Sequence, residues 1–375
     1  MRIHVWILAL LACCSAAWAA ESKALKKTSL AATEQLFAEP KVFEVSIEIP
    51  QAQLDALKRE PRVYVKATIK EGTNVFANTG FRFRGTNISS KTPRPSFTLK
   101  FNEFITDQRF YGQRKLGFDS SEQDPSYLGE PIVNELFRSA GIPAPRTTYA
   151  RVQLNGKDAG LYVVSEGVNK DFLDHHFDKS KGNLYEGDGT DLTDKLDKDS
   201  GDNAKDQPDI KALVTAAQTN PDQRWKKLQT VLDVDRFVTF MAMEVLTGHT
   251  NGYALARGRY RIYNDPGNAL LVFMPHGIDG VFSKPDAPVV PDMKGLLAKA
   301  VLETPEGKKR YRDELKKIVT RTFKLELTQA RAKELMAQMK PALKDKAEAQ
   351  EKAATDFLNR LAARHKFAEE QVKTF

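Results

Sequence analysis

The residues best suited to chemistry cluster between Gly248 and Phe282, in the stretch GHTNGYALARGRYRIYNDPGNALLVFMPHGIDGVF. An apolar helix ends near Gly248, a strand is expected around Arg259 to Tyr263, Asn264-Asp265-Pro266-Gly267 turns the chain, and an apolar strand runs from Ala269 to Met274. That strand delivers His276 and Asp279, and Gly280 lets the backbone bend after them. A carboxylate just beyond a buried strand can hold Mg²⁺ against a substrate phosphate, although on geometry alone the same aspartate can equally cap a turn. Asn251, at the helix end, can lend a metal its carbonyl oxygen. It brings no charge, and it cannot accept a hydroxyl proton as a carboxylate can. Arg259 has two readings: a cation that neutralises phosphate in this site, or a residue on the solvent face of its strand.

A second group lies earlier. Phe81-Arg-Phe-Arg-Gly-Thr-Asn-Ile-Ser-Ser90 joins two strands through glycine, asparagine and hydroxyl residues. Such a loop can aim backbone N–H groups at an anion, or it can be an ordinary hairpin turn. Lys100 on the following strand can contact a phosphate, and Glu166, at the end of a later hairpin, can orient that lysine. The alternative is a surface ion pair. No His-Arg-Asp or Asp-Phe-Gly signature and no GxGxxG or Walker loop is present, and His249 with His276 lack a third ligand for zinc.

These segments resemble the CotH kinase family of atypical secreted protein kinases. The likeness covers roughly Val42 to Phe282. It is carried by Phe81-Arg-Phe-Arg-Gly85 with Ser96-Phe-Thr-Leu-Lys100, by Arg151-Val-Gln-Leu-Asn-Gly156 with Gly160-Leu-Tyr-Val-Val-Ser-Glu166, by Gly182-Asn-Leu-Tyr-Glu-Gly187, and by the stretch ending at Asp279. The resemblance implies an α+β, atypical protein-kinase-like fold, with a mostly antiparallel N-terminal β-sheet region and a helical C-terminal region. It implies transfer of the γ-phosphoryl group of ATP to protein Ser or Thr, with ATP and Mg²⁺ as cofactors. Arg84, Lys100 and Glu166 would serve the nucleotide, and Asp279 and Asn251 would occupy the catalytic and metal positions. Two departures stand out. His249-Thr250-Asn251-Gly252-Tyr253 has asparagine where the family's His-x-Asp-Gly-Tyr pattern is acidic, and Gly258-Arg259-Tyr260 replaces an Asn-Asn-Tyr run. Reduced activity follows, or a pseudokinase-like protein that binds a nucleotide or assembles with an envelope partner.

The chain opens with Met1-Arg2-Ile3-His4, an apolar run from Val5 to Ala12 and Ala17-Trp18-Ala19, a secretory signal pattern cleaved after Ala19 or Ala20. The product is expected to be extracytoplasmic, with a weaker lipoprotein reading around Cys13. Cys13 and Cys14 are the two cysteines, so beyond the signal there is no disulfide and no thiolate chemistry. No later stretch is apolar enough to span a bilayer. The 57 Lys and Arg against 49 Asp and Glu give a net +8, and no aromatic-interleaved basic cluster points to nucleic acid. A protein substrate or an envelope protein is the expected partner.

The expected organisation is a signal at 1–20, a polar linker at 21–40, a kinase-like domain at 41–285 and a helical extension at 286–375 packed on it. Period-two alternation from Val42 to Ile49, Val63 to Ile69, Gly80 to Arg84 and Ser96 to Phe101 predicts an antiparallel sheet with one wet face. Asn155-Gly156 predicts a tight hairpin, and Asp233 an N-cap for a helix from Val234 to Leu246. Asp188 to Asp209 reads as an exposed acidic loop, and 328–373 as one helical run.

Overall fold

The computed structural model describes residues 30–85, 94–202 and 205–375. The expected signal segment and residues 86–93 of the early loop lie outside the described residues. Seven strands form a closed barrel: β1 (Val42–Glu48), β2 (Val65–Glu71), β3 (Asn74–Phe83), β4 (Phe97–Lys100), β5 (Lys115–Asp119), β6 (Thr147–Leu154) and β7 (Lys157–Glu166). The order is β1-β2-β3-β4-β5-β7-β6, and the parallel pairing of β1 with β6 closes it, while the other pairs are antiparallel. Alternation sends Phe81, Phe97, Leu99, Leu116, Phe118 and Tyr162 inward. Phe97 stacks on Phe81 at 5.0 Å and on Phe118 at 4.7 Å between ring centroids. The sheet foreseen from alternation is therefore a barrel, because closure depends on β1 meeting β6, a contact without a local sequence signal.

Helix α1 (30–38) lies within the segment read as a linker. Its Leu36 is 1 % exposed among the barrel residues, and Thr33 Oγ1 donates to the Tyr111 carbonyl at 3.0 Å. Helix α2 (Gln51–Arg59) follows β1, and α3 (Gly129–Ser139) follows β5.

The second layer is a four-stranded sheet in the order β11-β10-β8-β9, made from β8 (Leu184–Gly187), β9 (Asp197–Ser200), β10 (Tyr260–Asp265) and β11 (Leu270–Pro275). β9 corrects the expectation of a plain acidic loop between Asp188 and Asp209. Its Asp199 carboxylate accepts from the buried Arg261, which draws the segment onto the sheet edge. Around this sheet lie α4 (Lys170–His176), α5 (Pro208–Ala217), α6 (Pro221–Leu228), α7 (Val234–Thr247), α8 (Tyr253–Ala256), α9 (Leu296–Leu302), α10 (Pro305–Lys317), α11 (Leu325–Leu343) and α12 (Ala347–Val372).

α7 begins on Asp233, whose side chain accepts the Arg236 N–H, and ends on Gly248 with φ +65°. Phe237, Phe240, Phe273, Tyr311, Phe357 and Leu361 share one large core, so the C-terminal helices are continuous with the sheet layer. The predicted run 328–373 is two helices. Pro341 sits in the last turn of α11, and Lys344 turns out of the helix at φ +52°.

Phe97 fills the barrel centre at 1 % exposure, so Phe97→Ala should lower the unfolding free energy by about 3–5 kcal/mol. Denaturant titration checks this, and a loss below about 1 kcal/mol would show that the barrel interior can collapse around the void.

Candidate functional site

A cavity of about 1230 Å³ opens between the outer face of β3–β5, the sheet layer, the loop after Pro275 and α12. Strand alternation and register place Arg82, Thr98, Lys115 and Gly117 on this outer face. Arg84, just beyond β3, lays its guanidinium across Gly117, where a Cβ would collide with Nη1. That Nη1 is buried with no hydrogen-bond partner. Among the described residues, Arg82, Arg84 and Lys115 form no ion pair within 4.0 Å; Arg82 instead lies 4.7 Å from the Tyr64 ring centroid. Burial pulls the Lys115 ammonium down to about 8, and the nearby Arg261 charge adds to this.

The acidic side of the cavity is the start of α3. Asp124 accepts the Gly129 N–H at 2.7 Å, and Glu130 accepts from Ser165 Oγ at 2.6 Å. Burial, with Asp119 adding to it, pushes Glu130 up to about 7. On the sheet layer, Arg261 donates to Asp199 at 2.6 Å and also to Glu186, and Glu186 faces His276 Nε2 at 3.2 Å. Burial opposes ionisation of Glu186, yet His276 and Arg261 hold it well below the usual carboxylate range.

At the cavity edge, Asp279 is engaged on both oxygens: Asn251 Nδ2 donates to Oδ1 at 3.0 Å, and Arg259 Nη1 donates to Oδ2 at 2.6 Å. Arg259 crosses Gly277, which has φ +55°, and a Cβ there would stand 2.6 Å from Arg259 Cδ. Of Arg259's two readings from sequence, the structure shows the one that faces the site.

A family model described as CotH kinase protein matches residues 81–374. The chain belongs to this family. It is 22 % identical over 284 residues to inner spore coat protein H of Bacillus subtilis, covering 69 % of this chain and 76 % of that protein. It is 24 % identical over 256 residues to invasin CotH2 of Rhizopus delemar, covering 61 % of this chain but only 42 % of the invasin. Among solved structures, a Golgi casein kinase with Mn/ADP bound aligns over 91 % of this chain and 76 % of its own at 9 % identity, with a TM-score of 0.37, too distant to inform the chemistry. The CotH match runs through the C-terminal helices, which lend Phe357 and Arg360 to the cavity.

Of the residues singled out from sequence in this CotH chain, Arg84, Glu166 and Asp279 line the cavity, and Asn251 touches it through Asp279. Lys100 does not line it: it lies opposite Lys115 in the register, at the outer end of β4, and pairs with Glu103 at 2.5 Å. The expected Lys100–Glu166 pair is not formed. Glu166 is instead held by Arg146, Nη2 to Oε1 at 2.7 Å and Nε to Oε2 at 3.0 Å. Both lysines share the outer strand face, but only Lys115 is covered by the second layer, and alternation cannot tell them apart. Among the described residues, no group of three or more His, Cys, Asp or Glu is placed to hold a metal ion. With Asp279 committed to a guanidinium and an amide, the arrangement does not fit Mg²⁺.

Sequence reasoning missed Glu244, whose signal was an acid inside the apolar run of α7. It is fully buried and accepts the N–H groups of Tyr253 at 2.9 Å and Ala254 at 2.7 Å. His249, also fully buried, lies 3.7 Å from Glu244 through Nδ1, and its Nε2 is 3.3 Å from the Gly277 carbonyl. Burial pushes Glu244 up to about 8 and His249 down to about 4.

These shifts set a pH window. Glu244 keeps its proton in the folded chain above its ordinary 4.5, so its contribution to stability falls as pH rises toward about 8. His249 acts with the opposite sign, but only below its ordinary 6.5. The unfolding free energy should therefore fall between pH 6.5 and 8, with Glu130 adding the same sign up to about 7, and Glu244→Gln should remove most of the slope between pH 7 and 8. Urea titrations at stepped pH check this; an unchanged slope in the variant would assign it elsewhere.

Proposed function

We propose that this CotH-family protein holds a phosphate-bearing ligand in the cavity, with ATP as the first candidate. In this reading it transfers the γ-phosphoryl group to protein Ser or Thr slowly or not at all. The observation that carries the reading is the set of cations around the Gly117 shelf that form no ion pair within 4.0 Å among the described residues: Arg84 with its orphaned Nη1, Lys115 and Arg82. A buried cation without a counter-ion is costly, and a polyphosphate offers the missing negative charge and acceptors. Transfer lacks support at two points. Asn251 cannot serve as a general base, and the Asp279 carboxylate is neutralised by Arg259.

A second reading, a kinase one carboxylate short, is favoured by the 3.0 Å contact that brings Asn251 to Asp279. Asn251→Asp tests it: a large gain in phosphotransfer to a Ser/Thr protein would make the chain a weakened kinase, and intact binding without that gain would leave a binding protein. The signal-like N-terminus supports export to the cell envelope, where the partner is a protein, either acceptor or assembly component. Among the described residues, no helix is long and apolar enough to cross a membrane.

Calorimetric titration with ATP tests the cavity assignment. Arg84→Ala and Lys115→Met should each weaken binding roughly 10- to 100-fold, as expected for loss of a charged hydrogen bond, whereas Lys100→Ala should leave it unchanged. A silent titration of the parent protein would remove the nucleotide reading.

A further inference from the structure

We infer that Arg259 stands in for the divalent cation, so that the cavity takes its phosphate ligand as the metal-free anion. The inference rests on the phosphate-binding reading above. Three observations carry it. Arg259 pairs with Asp279 at 2.6 Å and lies 3.9 Å from Asp188 through Nε, so a fixed cation already sits among the carboxylates that would draw a divalent one, and Asn251 adds no charge. Gly277 has no Cβ to obstruct the arginine stem, so the guanidinium is seated by the loop backbone and takes a further contact from Nη1 to the Gly277 carbonyl at 3.4 Å. Among the described residues, Arg259 Nη2 has no hydrogen-bond partner, and the residue lines the same cavity as Arg84 and Lys115.

A guanidinium holding Asp279 on one edge still has donors for a phosphate on the other. Magnesium bound to the same phosphate would remove part of the negative charge that Arg259, Arg84 and Lys115 share. It would also bring a like charge against the guanidinium.

The test is calorimetric titration of the full chain with ATP, once in EDTA and once in excess Mg²⁺. Binding in EDTA as tight as in Mg²⁺, or tighter, is the expected result. Binding only with Mg²⁺ would overturn the inference and leave the phosphate-binding reading standing; no binding in either arm would overturn both.

Two variants, checked for folding by circular dichroism, give readouts that do not depend on activity. Arg259→Gln should lose roughly tenfold or more of the affinity measured in EDTA, and Arg259→Lys should keep a larger share. Mn²⁺ alone, followed by its electron paramagnetic resonance signal, should not bind the parent protein. It should bind the double variant Asn251→Asp, Arg259→Asn, in which Asp279 is released beside a second carboxylate. Mn²⁺ uptake by the parent protein would overturn the inference.

Discussion

The C-terminal end of α7 must bury polar groups, and the solution to that constraint places everything else in the site. Arg364 on α12, 1 % exposed, donates to the Leu246 carbonyl at 3.0 Å and to the Val245 carbonyl at 2.8 Å, which also accepts the Gly248 N–H at 3.2 Å, so both carbonyls are satisfied at the helix end. Glu244 reaches forward to the N–H groups that open α8, and His249 reaches to Gly277. Each such group left without a partner costs about 1–3 kcal/mol, so the chain from Thr247 to Ala254 has little freedom. Asn251 is presented to Asp279 by this buried scaffold. The C-terminal helices, which read as simple packing, thereby belong to the machinery that holds the site.

The cavity differs from side to side in how its charges are paired. Glu186, Asp199 and Asp279 are each matched to an arginine or histidine on the sheet side. On the barrel side Arg84, Lys115 and Arg82 form no ion pair within 4.0 Å among the described residues. Charges already paired favour shape and position, while unpaired cations favour a ligand. A kinase of this family would be expected to spend Asp279 on a metal; here the same carboxylate seats an arginine. The two residues that depart from the family pattern, Asn251 and Arg259, meet on one carboxylate, Asp279.

Much of the local structure was legible. Asp233 caps α7, Gly248 ends it, Asn155-Gly156 turns β6 into β7, and the alternation from Val42 onward marks barrel strands. These follow from backbone sterics and side-chain period, which act within a few residues. The strand β5 gives no sequence signal because Gly117 interrupts its five residues, and with it Lys115, the lysine that the cavity covers, is missed. Helix α1 reads as linker because it is short and isolated in the sequence, and its anchoring comes from Leu36 and Phe37 against the barrel, a contact with no local signal.

The sequence by itself determined the turns, the caps, the strand faces, family membership and the identity of the two altered site residues. Each of these depends on residue types at short spacing. The tertiary structure alone decided the closure of the barrel by β1 and β6, the preference for Lys115 over Lys100, the capture of Glu166 by Arg146, and the engagement of Asp279 by Arg259. Those outcomes join residues far apart in the chain, and which charge meets which is settled by burial and by the competition for partners once the layers have packed.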